Sequence, residues 1–428
     1  MRGVYVLLLI SLLGYTGRVS GQESVTITQC YEWARANYPQ IHQMGLIDQT
    51  ERYSLSNVGK AWLPQLSVSG KASYQSDVTK LPFDGDKISS LLPGFEIPSL
   101  SKDQYQVVAQ VDQTIWDGGS ARSARALTRA EATANREQLE SELYALNDRV
   151  NQLYFGCLLQ DELIRQNALL QKELQVNIER IEAMMENGVA NQSDLESMEV
   201  ELLNARQNEI ELRASRTVYR QMLATFINKP LTDQVVLKTP ESPERSLSTQ
   251  INRPELRALD AKSEWIETQN KQVTAGLMPR IGAFVQGGYG RPGLNMLEDS
   301  FEPYYVAGVR LSWNLGKLYT LKNDRRKIEV SRRQIDVQRE TFLFNTRLQL
   351  LQQNTEIKKM TDLMRADDDI IRLRTSIKQA AEVKLENGVI SVTDLIREIN
   401  AEDMARQTAA AHRVQRLMTI YNYMYTTN

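Results

Sequence analysis

Residues 186–195 read ENGVANQSDL, and residues 386–395 read ENGVISVTDL. Six of the ten positions are identical, Ser193 answers Thr393, and the offset is 386 − 186 = 200 residues. Each phrase carries the chemistry of a helix end followed by a helix start. Asn187-Gly188 and Asn387-Gly388 tolerate the left-handed conformation that terminates a helix. Asn191 and Ser391 are N-capping residues, and Asp194 and Asp394 follow three positions later, as in a capping box beside the positive end of the helix dipole. The phrases therefore predict two helical hairpins with matching tips.

The flanking sequence permits long arms on both hairpins. None of the 12 prolines lies between Pro98 and Pro230 or after Pro303, and an interior proline costs a helix about 3 kcal/mol. Gly156 is the only glycine between Gly119 and Gly188, and Gly388 the only one after Gly316. Leu139, Leu143, Leu146, Val150, Leu153 and Cys157 step by 4, 3, 4, 3, 4, the a/d spacing of a coiled coil. Leu195, Met198, Leu202 and Ala205 continue that spacing on the returning arm, and Ile370, Leu373, Ile377 and Ala380 carry it in the second block. Residues 120–187 would reach about 100 Å as one helix.

The proline-rich intervals have strand composition. Residues 66–74 and 105–116 are separated by the loop-like 80–99, and 280–289 and 304–313 by 290–303. Ala61-Trp62-Leu63-Pro64 answers Gly276-Leu277-Met278-Pro279, and Trp116-Asp117-Gly118-Gly119 answers Trp313-Asn314-Leu315-Gly316. Helix, proline, strand, loop, strand, glycine, long helix, ENG and returning helix thus occur twice, so the whole chain is an internal duplication. The expected organisation is a signal peptide at 1–21 and a first repeat at 22–226, with a β-hairpin at 66–116 and a helical hairpin at 119–226. A linker at 227–250 joins it to a second repeat at 251–428, with a β-hairpin at 280–313 and a helical hairpin at 317–425.

Composition narrows the class. The 428 residues carry 51 basic and 53 acidic side chains, a balance that gives no electrostatic case for a nucleic-acid partner. Aromatic residues are 7% and mean hydropathy is −0.42, values that suit long amphipathic helices. Residues 4–13 form an apolar segment too short to span a bilayer, behind Arg2 and ahead of the small residues Val19-Ser20-Gly21, which reads as a secretory signal. Cys30 and Cys157, the only cysteines, sit in helix-like segments and read as buried small hydrophobes, with a disulfide as the alternative.

Beyond the signal no apolar run is long enough for a transmembrane helix, so an exported chain is either soluble or membrane-embedded through strands. Four strands cannot close a barrel, and an open edge in lipid leaves backbone groups unpaired. Membrane strands would therefore require several copies. Trp116 and Trp313 recur at matched strand ends, and Tyr105, Tyr304, Tyr305, Tyr74 and Tyr289 lie toward the other ends. These suit interfacial girdles, although strands favour aromatics in any setting. After each glycine turn come Arg122, Arg125 and Arg129, or Lys317, Lys322, Arg325, Arg326 and Lys327, facing either anionic headgroups or solvent.

The ordered set TITQCYEWARANYPQI, AWLPQLSVSG, IWDGGSARSA, ENGVANQSDL, INRPELRAL, WNLGKL and ENGVISVTDL resembles the TolC-like outer membrane efflux protein family across essentially the mature chain. The resemblance implies an α+β membrane protein, mostly long coiled-coil helices forming a periplasmic α-barrel. Four strands per chain would contribute to a trimeric 12-stranded transmembrane β-barrel in the outer membrane of a Gram-negative bacterium. It implies a passive exit duct of a tripartite efflux or type I secretion system. Its partners would be a periplasmic adaptor and an inner-membrane transporter of RND or ABC type, with outer-membrane lipid around the homotrimer.

By the same resemblance Asp194 and Asp394 belong to an acidic gate at the periplasmic entrance, while capping alone also accounts for both. Gly188, Val189, Gly388, Val389 and Ile390 would form an adaptor-docking tip. The family's gate also uses a Tyr, an Arg and a second Asp where this chain has Leu385, Ile390 and Arg397. His42 and His412 have no metal-ligand spacing, no phosphate-binding or nucleophile-elbow motif is present, and Asp367-Asp368-Asp369 reads as a solvated helix face. No catalytic residue, cofactor or metal is expected. The competing reading is a soluble periplasmic coiled-coil scaffold or adaptor, which has no use for strands ended by aromatics.

Overall fold

The computed structural model describes residues 24–79, 100–242, 250–296 and 298–428. The expected signal peptide, the loop at 80–99 and residues 243–249 of the expected linker lie outside the described residues. The order is β1 (Ser24–Val25), α1 (Ile27–Asn37), a 3-10 turn (Pro39–Ile41), α2 (His42–Lys60), β2 (Gln65–Tyr74), β3 (Asp103–Trp116), α3 (Ser120–Tyr144) and α4 (Leu146–Glu186). There follow α5 (Gln192–Ile227), β4 (Val236–Leu237), α6 (Pro254–Ala275), β5 (Arg280–Arg291), β6 (Glu302–Ser312), α7 (Lys317–Glu386) and α8 (Val392–Thr427). The duplication is plain in this order, with α2 through α5 repeated as α6 through α8. The first long arm is interrupted only at Ala145, and α7 runs unbroken for 70 residues.

Local chemistry sets these boundaries. Thr26 caps α1 in a full capping box with Gln29, and Pro254 opens α6, where its missing N–H is no loss. The chain forms two compact units that cut across the repeats, one of residues 1–43, 138–256 and 340–428, the other of 44–137 and 257–339.

The first unit has two cores. In one, α1 packs on α4, α5 and α8 through Ile27, Cys30, Ala34, Tyr154, Phe155, Cys157, Leu223 and Ile227. Both cysteines are free there, and burial pushes both thiols up to about 12, as suits small hydrophobes. The short parallel sheet β1–β4, which the sequence does not announce, is tied to this core by the Tyr154 hydroxyl, 2.9 Å from the Val25 carbonyl and 2.6 Å from that of Lys238. The second core joins the two hairpin tips. The heptad residues Leu139, Leu143, Leu146, Val150, Leu153 and Cys157 are all buried. The stripe Ile370, Leu373, Ile377 and Ala380 is not: it is exposed, and Ala381 and Leu385 are buried instead. The 3,4,3 spacing marks an apolar stripe that nothing among the described residues covers.

The second unit holds one antiparallel sheet in the order β2-β3-β5-β6. The two expected hairpins are present, and β3 pairs with β5 to join them. Helices α6 and α7 pack through Ile266, Ile328 and Ile335. The passage from β3 into α3 depends on Gly118. Its φ is +67°, and a β-carbon there would lie 2.6 Å from Cβ of Met278. Asp117 then caps α3, accepting from the Gly119 and Ala121 amides at 2.8 and 2.6 Å.

Backbone strain and steric overlap act together at that corner. Gly118→Val is expected to cost about 2–4 kcal/mol, whereas Gly45→Ala, on α2 with open space around it, should gain about 0.5–1 kcal/mol. Thermal unfolding followed by circular dichroism in detergent compares the two.

Candidate functional site

Two features stand out, and each belongs to one unit. The first is the sheet, whose pairing register aligns side chains into rows by face. Leu66, Val111, Val285 and Ala307 are directly paired across all four strands, and all are apolar. One residue along, Ser67, Gln110, Gln286 and Val306 form the adjacent row on the other face, which is mostly polar. The alternation persists along the strands. Val68, Val107, Val309 and Leu311 are exposed on the first face, while Lys71, Gln106, Asp112 and Arg310 belong to the second. A face of exposed Val and Leu with no protein partner needs an apolar environment.

Aromatic residues bound that apolar face. Tyr105 stacks on Phe301 with ring centroids 6.4 Å apart, Tyr289 on the same ring at 5.7 Å, and Tyr74 and Tyr305 are exposed on the same face. At the other end Trp116 is exposed beside the bulge at Thr114/Trp116, and Trp313, just past β6, donates from Nε1 to the Leu277 carbonyl at 2.9 Å. From Tyr105 to Trp116 is 11 steps of β3, about 36 Å along the strand, or about 26 Å at a tilt of roughly 45°. That matches the height of the apolar band of outer-membrane barrels, about 25 Å. One expected member of the aromatic set falls elsewhere. Tyr304 sits on the polar face, with its hydroxyl beside the Gln106 side chain and its ring over Gly288. The period-2 pleat hands the interfacial position to its neighbour Tyr305.

The second feature is the pair of hairpin tips. Gly188 and Gly388 take φ of 73° and 68°. The Val189 amide donates to the Met184 carbonyl and the Val389 amide to that of Lys384, both at 2.9 Å, closing a Schellman turn at each tip. Both returning helices start in full capping boxes. Asp194 accepts from the Asn191 amide and Asp394 from the Ser391 amide, each at 3.2 Å, and Ser391 Oγ donates to Asp394 at 2.8 Å. The Ser391 hydrogen bonds, with Arg397 at 3.5 Å, hold the Asp394 carboxyl below its ordinary range. Val189 and Val389 are 56% and 68% exposed, whereas Ala190 and Ile390 fold back onto the shared tip core of Ile181, Met198, Leu385, Val392 and Leu395.

Deeper along the arms lies a charge network that the sequence does not reveal. Lys378 on α7 ion-pairs with Glu173 on α4 and, at 2.7 Å, with Glu402 on α8. Glu402 is 2% exposed and also accepts from Thr375 and Arg406, each at 2.5 Å. Burial raises its pKa, but these donors outweigh burial and hold the carboxyl below its usual range. The adjacent Asp403 has only Gln407 as a partner, at 2.6 Å; burial dominates, aided by Glu173 and Glu402, and lifts it to about 6. Asp367 also leaves the expected solvated run: it is buried and meets His412 Nδ1 at 2.8 Å, while Asp368 and Asp369 stay exposed. Successive residues on a helix are turned by about 100°, so Asp367 faces a different environment from Asp368 and Asp369.

Among the described residues no group of three or more His, Cys, Asp or Glu side chains is placed to hold a metal, and no helix is long and apolar enough to cross a membrane. A model of the outer membrane efflux protein family matches residues 30–229. No curated protein sequence matches the chain. The fold likeness extends over both repeats. The structure of CusC is 14% identical and matches with a TM-score of 0.66, covering 94% of this chain and 92% of that one. The outer-membrane channel OprN matches with the same identity and TM-score over 94% and 89%. The outer membrane protein VceC from Vibrio cholerae is 12% identical, with a TM-score of 0.63 over 93% and 95%. The efflux-protein resemblance read from the sequence is thus met by the family match and by the fold. The tips depart from the gate that the resemblance implied. Leu385 is a core residue, Ile390 packs on that core, and Arg397 points its charge at Asp394 and Glu398.

The raised pKa of Asp403 gives a signed prediction. Its carboxyl is neutral in the fold up to about pH 6 but ionises from about 3.8 in the unfolded chain, so stability falls as pH rises from about 3.8 to 6 and the full penalty is present above that window. Asp403→Asn should stabilise the fold by about 1–2 kcal/mol near pH ~7.5, after allowance for solvent screening at this half-buried site, with the difference shrinking as pH falls below about 6 and gone below about 3.8. Paired thermal or urea titrations across that range measure it.

Proposed function

We propose that this chain is the outer-membrane duct of a tripartite efflux or type I secretion system, working as a homotrimer. The observation that carries the reading is the two-faced sheet with two open edges. Strands β2 and β6 are the edges of the order β2-β3-β5-β6 and have no partner within the sheet. Their apolar face calls for lipid, and in lipid an unpaired edge costs several kcal/mol for each bare N–H or C=O. Pairing β6 of one copy with β2 of the next removes both edges. Three copies then give the 12 strands that the family resemblance implies, with the Gln, Ser, Asp and Arg face lining an aqueous lumen.

The helices supply a matching seam. Val330, Val337, Phe344 and Leu351 recur every seven residues along α7 and are exposed, as are Leu203 and Ile210 on α5. Copies packing through these stripes close a helical barrel that extends into the periplasm. The tips then surround the entrance. Asp194 and Asp394 place six carboxylates around it in a trimer, drawing cations to the mouth. Gly188, Val189, Gly388 and Val389 present the docking surface for a periplasmic adaptor, which couples the duct to an RND- or ABC-type pump in the inner membrane. Ile390 supports that surface from beneath. Trp116, Trp313 and Tyr105 anchor the barrel at the two membrane interfaces. An envelope duct of this kind moves its cargo passively; the energy enters at the pump.

Cell fractionation tests the reading directly. The wild-type chain should sediment with the outer membrane and run as an SDS-resistant trimer; recovery only from the soluble fraction sinks the duct. Val309→Arg, on the apolar face near mid-strand, should cost assembly about 2–4 kcal/mol per copy, whereas Ser69→Arg on the polar face should assemble normally.

The tips are probed separately. Gly188→Val and Gly388→Val force a β-branched side chain into φ near +70°. Each is expected to lower efflux at least roughly tenfold, measured as drug or dye export, while the trimer still forms in the membrane. Undiminished export by both variants would count against docking at the tips.

A further inference from the structure

In the second unit, α3 presents two opposite faces to two different cavities. Ser120 and Ala124 line a cavity of about 430 Å³ together with Asp112, Phe284 and Arg310, residues of the polar sheet face. Arg122 and Ala126, two positions on, point some 200° away around the helix. They line a separate cavity of about 500 Å³ with Asn270, Lys271, Ala275 and Met278. The first cavity is also lined by Gln113, Ile281 and Ala283 of the other sheet face, and the second holds no strand residue and lies on the opposite side of α3.

Its chemistry is specific. Arg122 and Lys271 are both exposed, and neither forms an ion pair or hydrogen bond among the described residues. The first turns of α3 carry Arg122, Arg125 and Arg129 with no acid before Glu131. Asn270 donates from Nδ2 to Glu267 at 3.2 Å, but its Oδ1 is buried with no donor. A bare buried acceptor costs about 1–3 kcal/mol unless something donates to it. Ala126, Ala275 and Met278 give the cavity an apolar wall.

We propose that this cavity binds the headgroup of an anionic phospholipid of the inner leaflet, of the phosphatidylglycerol type. The phosphodiester meets Arg122 and Lys271, a headgroup hydroxyl donates to Asn270 Oδ1, and the acyl chains run up the apolar face past Trp116 and Val111. A zwitterionic headgroup with a trimethylammonium carries the same phosphodiester but has no hydroxyl to donate, and its cation faces two cations. The proposal rests on the placement of that face in lipid.

Full-length protein is reconstituted into nanodiscs of phosphatidylcholine with about 30% phosphatidylglycerol, and retained lipids are counted by native mass spectrometry. Wild type should retain phosphatidylglycerol over phosphatidylcholine by about tenfold, as should the charge-preserving Arg122→Lys/Lys271→Arg variant. Arg122→Gln/Lys271→Gln should fall to parity while inserting normally, since both side chains are on the surface. A preference for phosphatidylglycerol in that variant as strong as in wild type overturns the site. So does displacement of the retained phosphatidylglycerol by inorganic phosphate alone, which assigns the cavity to a free anion. Failure of wild type to enter any nanodisc overturns the membrane reading itself, an outcome distinct from insertion without lipid preference.

Discussion

Every backbone N–H and C=O of the strands needs a partner, and in hydrocarbon no water can provide one. Four strands with one apolar face cannot meet that demand alone, because β2 and β6 end the sheet with bare edges. The chain is therefore incomplete as a single copy, and the incompleteness is directional. Each copy offers one edge of each kind, so repetition of the same contact around an axis satisfies all of them at once. The exposed heptad stripe on α7 has the same logic in helical form: it is an apolar seam turned to the surface. Two unrelated periodicities, 2.0 in the strands and 3.5 in the helices, thus require the same assembly.

The duplication explains how one chain supplies both. Each repeat brings two strands and one long helical hairpin, and the repeats meet through the β3–β5 pairing in one unit and through the joint tip core in the other. Neither unit is a repeat. Each takes equivalent pieces from both halves of the sequence, so the two tips share Ile181, Met198, Leu385 and Leu395 in one apolar cluster. The spacing of 200 residues between the ENG phrases is a register in sequence that becomes adjacency in space.

What the sequence could disclose follows from how local each signal is. The tips were legible because Asn-Gly followed by Asn-x-x-Asp or Ser-x-x-Asp encodes its own geometry within eight residues, and the structure has both Schellman turns and both capping boxes there. The strands were legible from proline punctuation and aromatic ends, to within two residues. Periodicity on Ile370, Leu373 and Ile377 located an apolar stripe that is exposed, because spacing says that a face is apolar and never what covers it. Tyr304 and Tyr305 show the same limit at finer grain: adjacent tyrosines differ only in pleat parity, which the register decides. The β1–β4 pairing joins residues more than 200 apart and only two long, too short for any pattern.

The Glu173–Lys378–Glu402 network was the least legible feature, since its members come from three helices and none has an informative neighbour. Its place in the fold gives it meaning. The tip core is apolar and would tolerate small slides of one helix along another, because leucine and isoleucine contacts are non-directional. A buried carboxylate held by Lys378, Thr375 and Arg406 admits only one registration of α8 against α4 and α7. Replacing one partner leaves a charge uncompensated in the interior, a cost of about 3–5 kcal/mol, although the intact pair adds little net stability. The network therefore fixes geometry more than it adds stability. Where family gates rely on polar residues at the tip itself, this chain has Leu385 and Ile390 there, and the directional interactions sit further up the arms. Helix registration near the tips is thus set by charge pairs further along the arms, and Val189 and Val389 stay exposed and take no part in it.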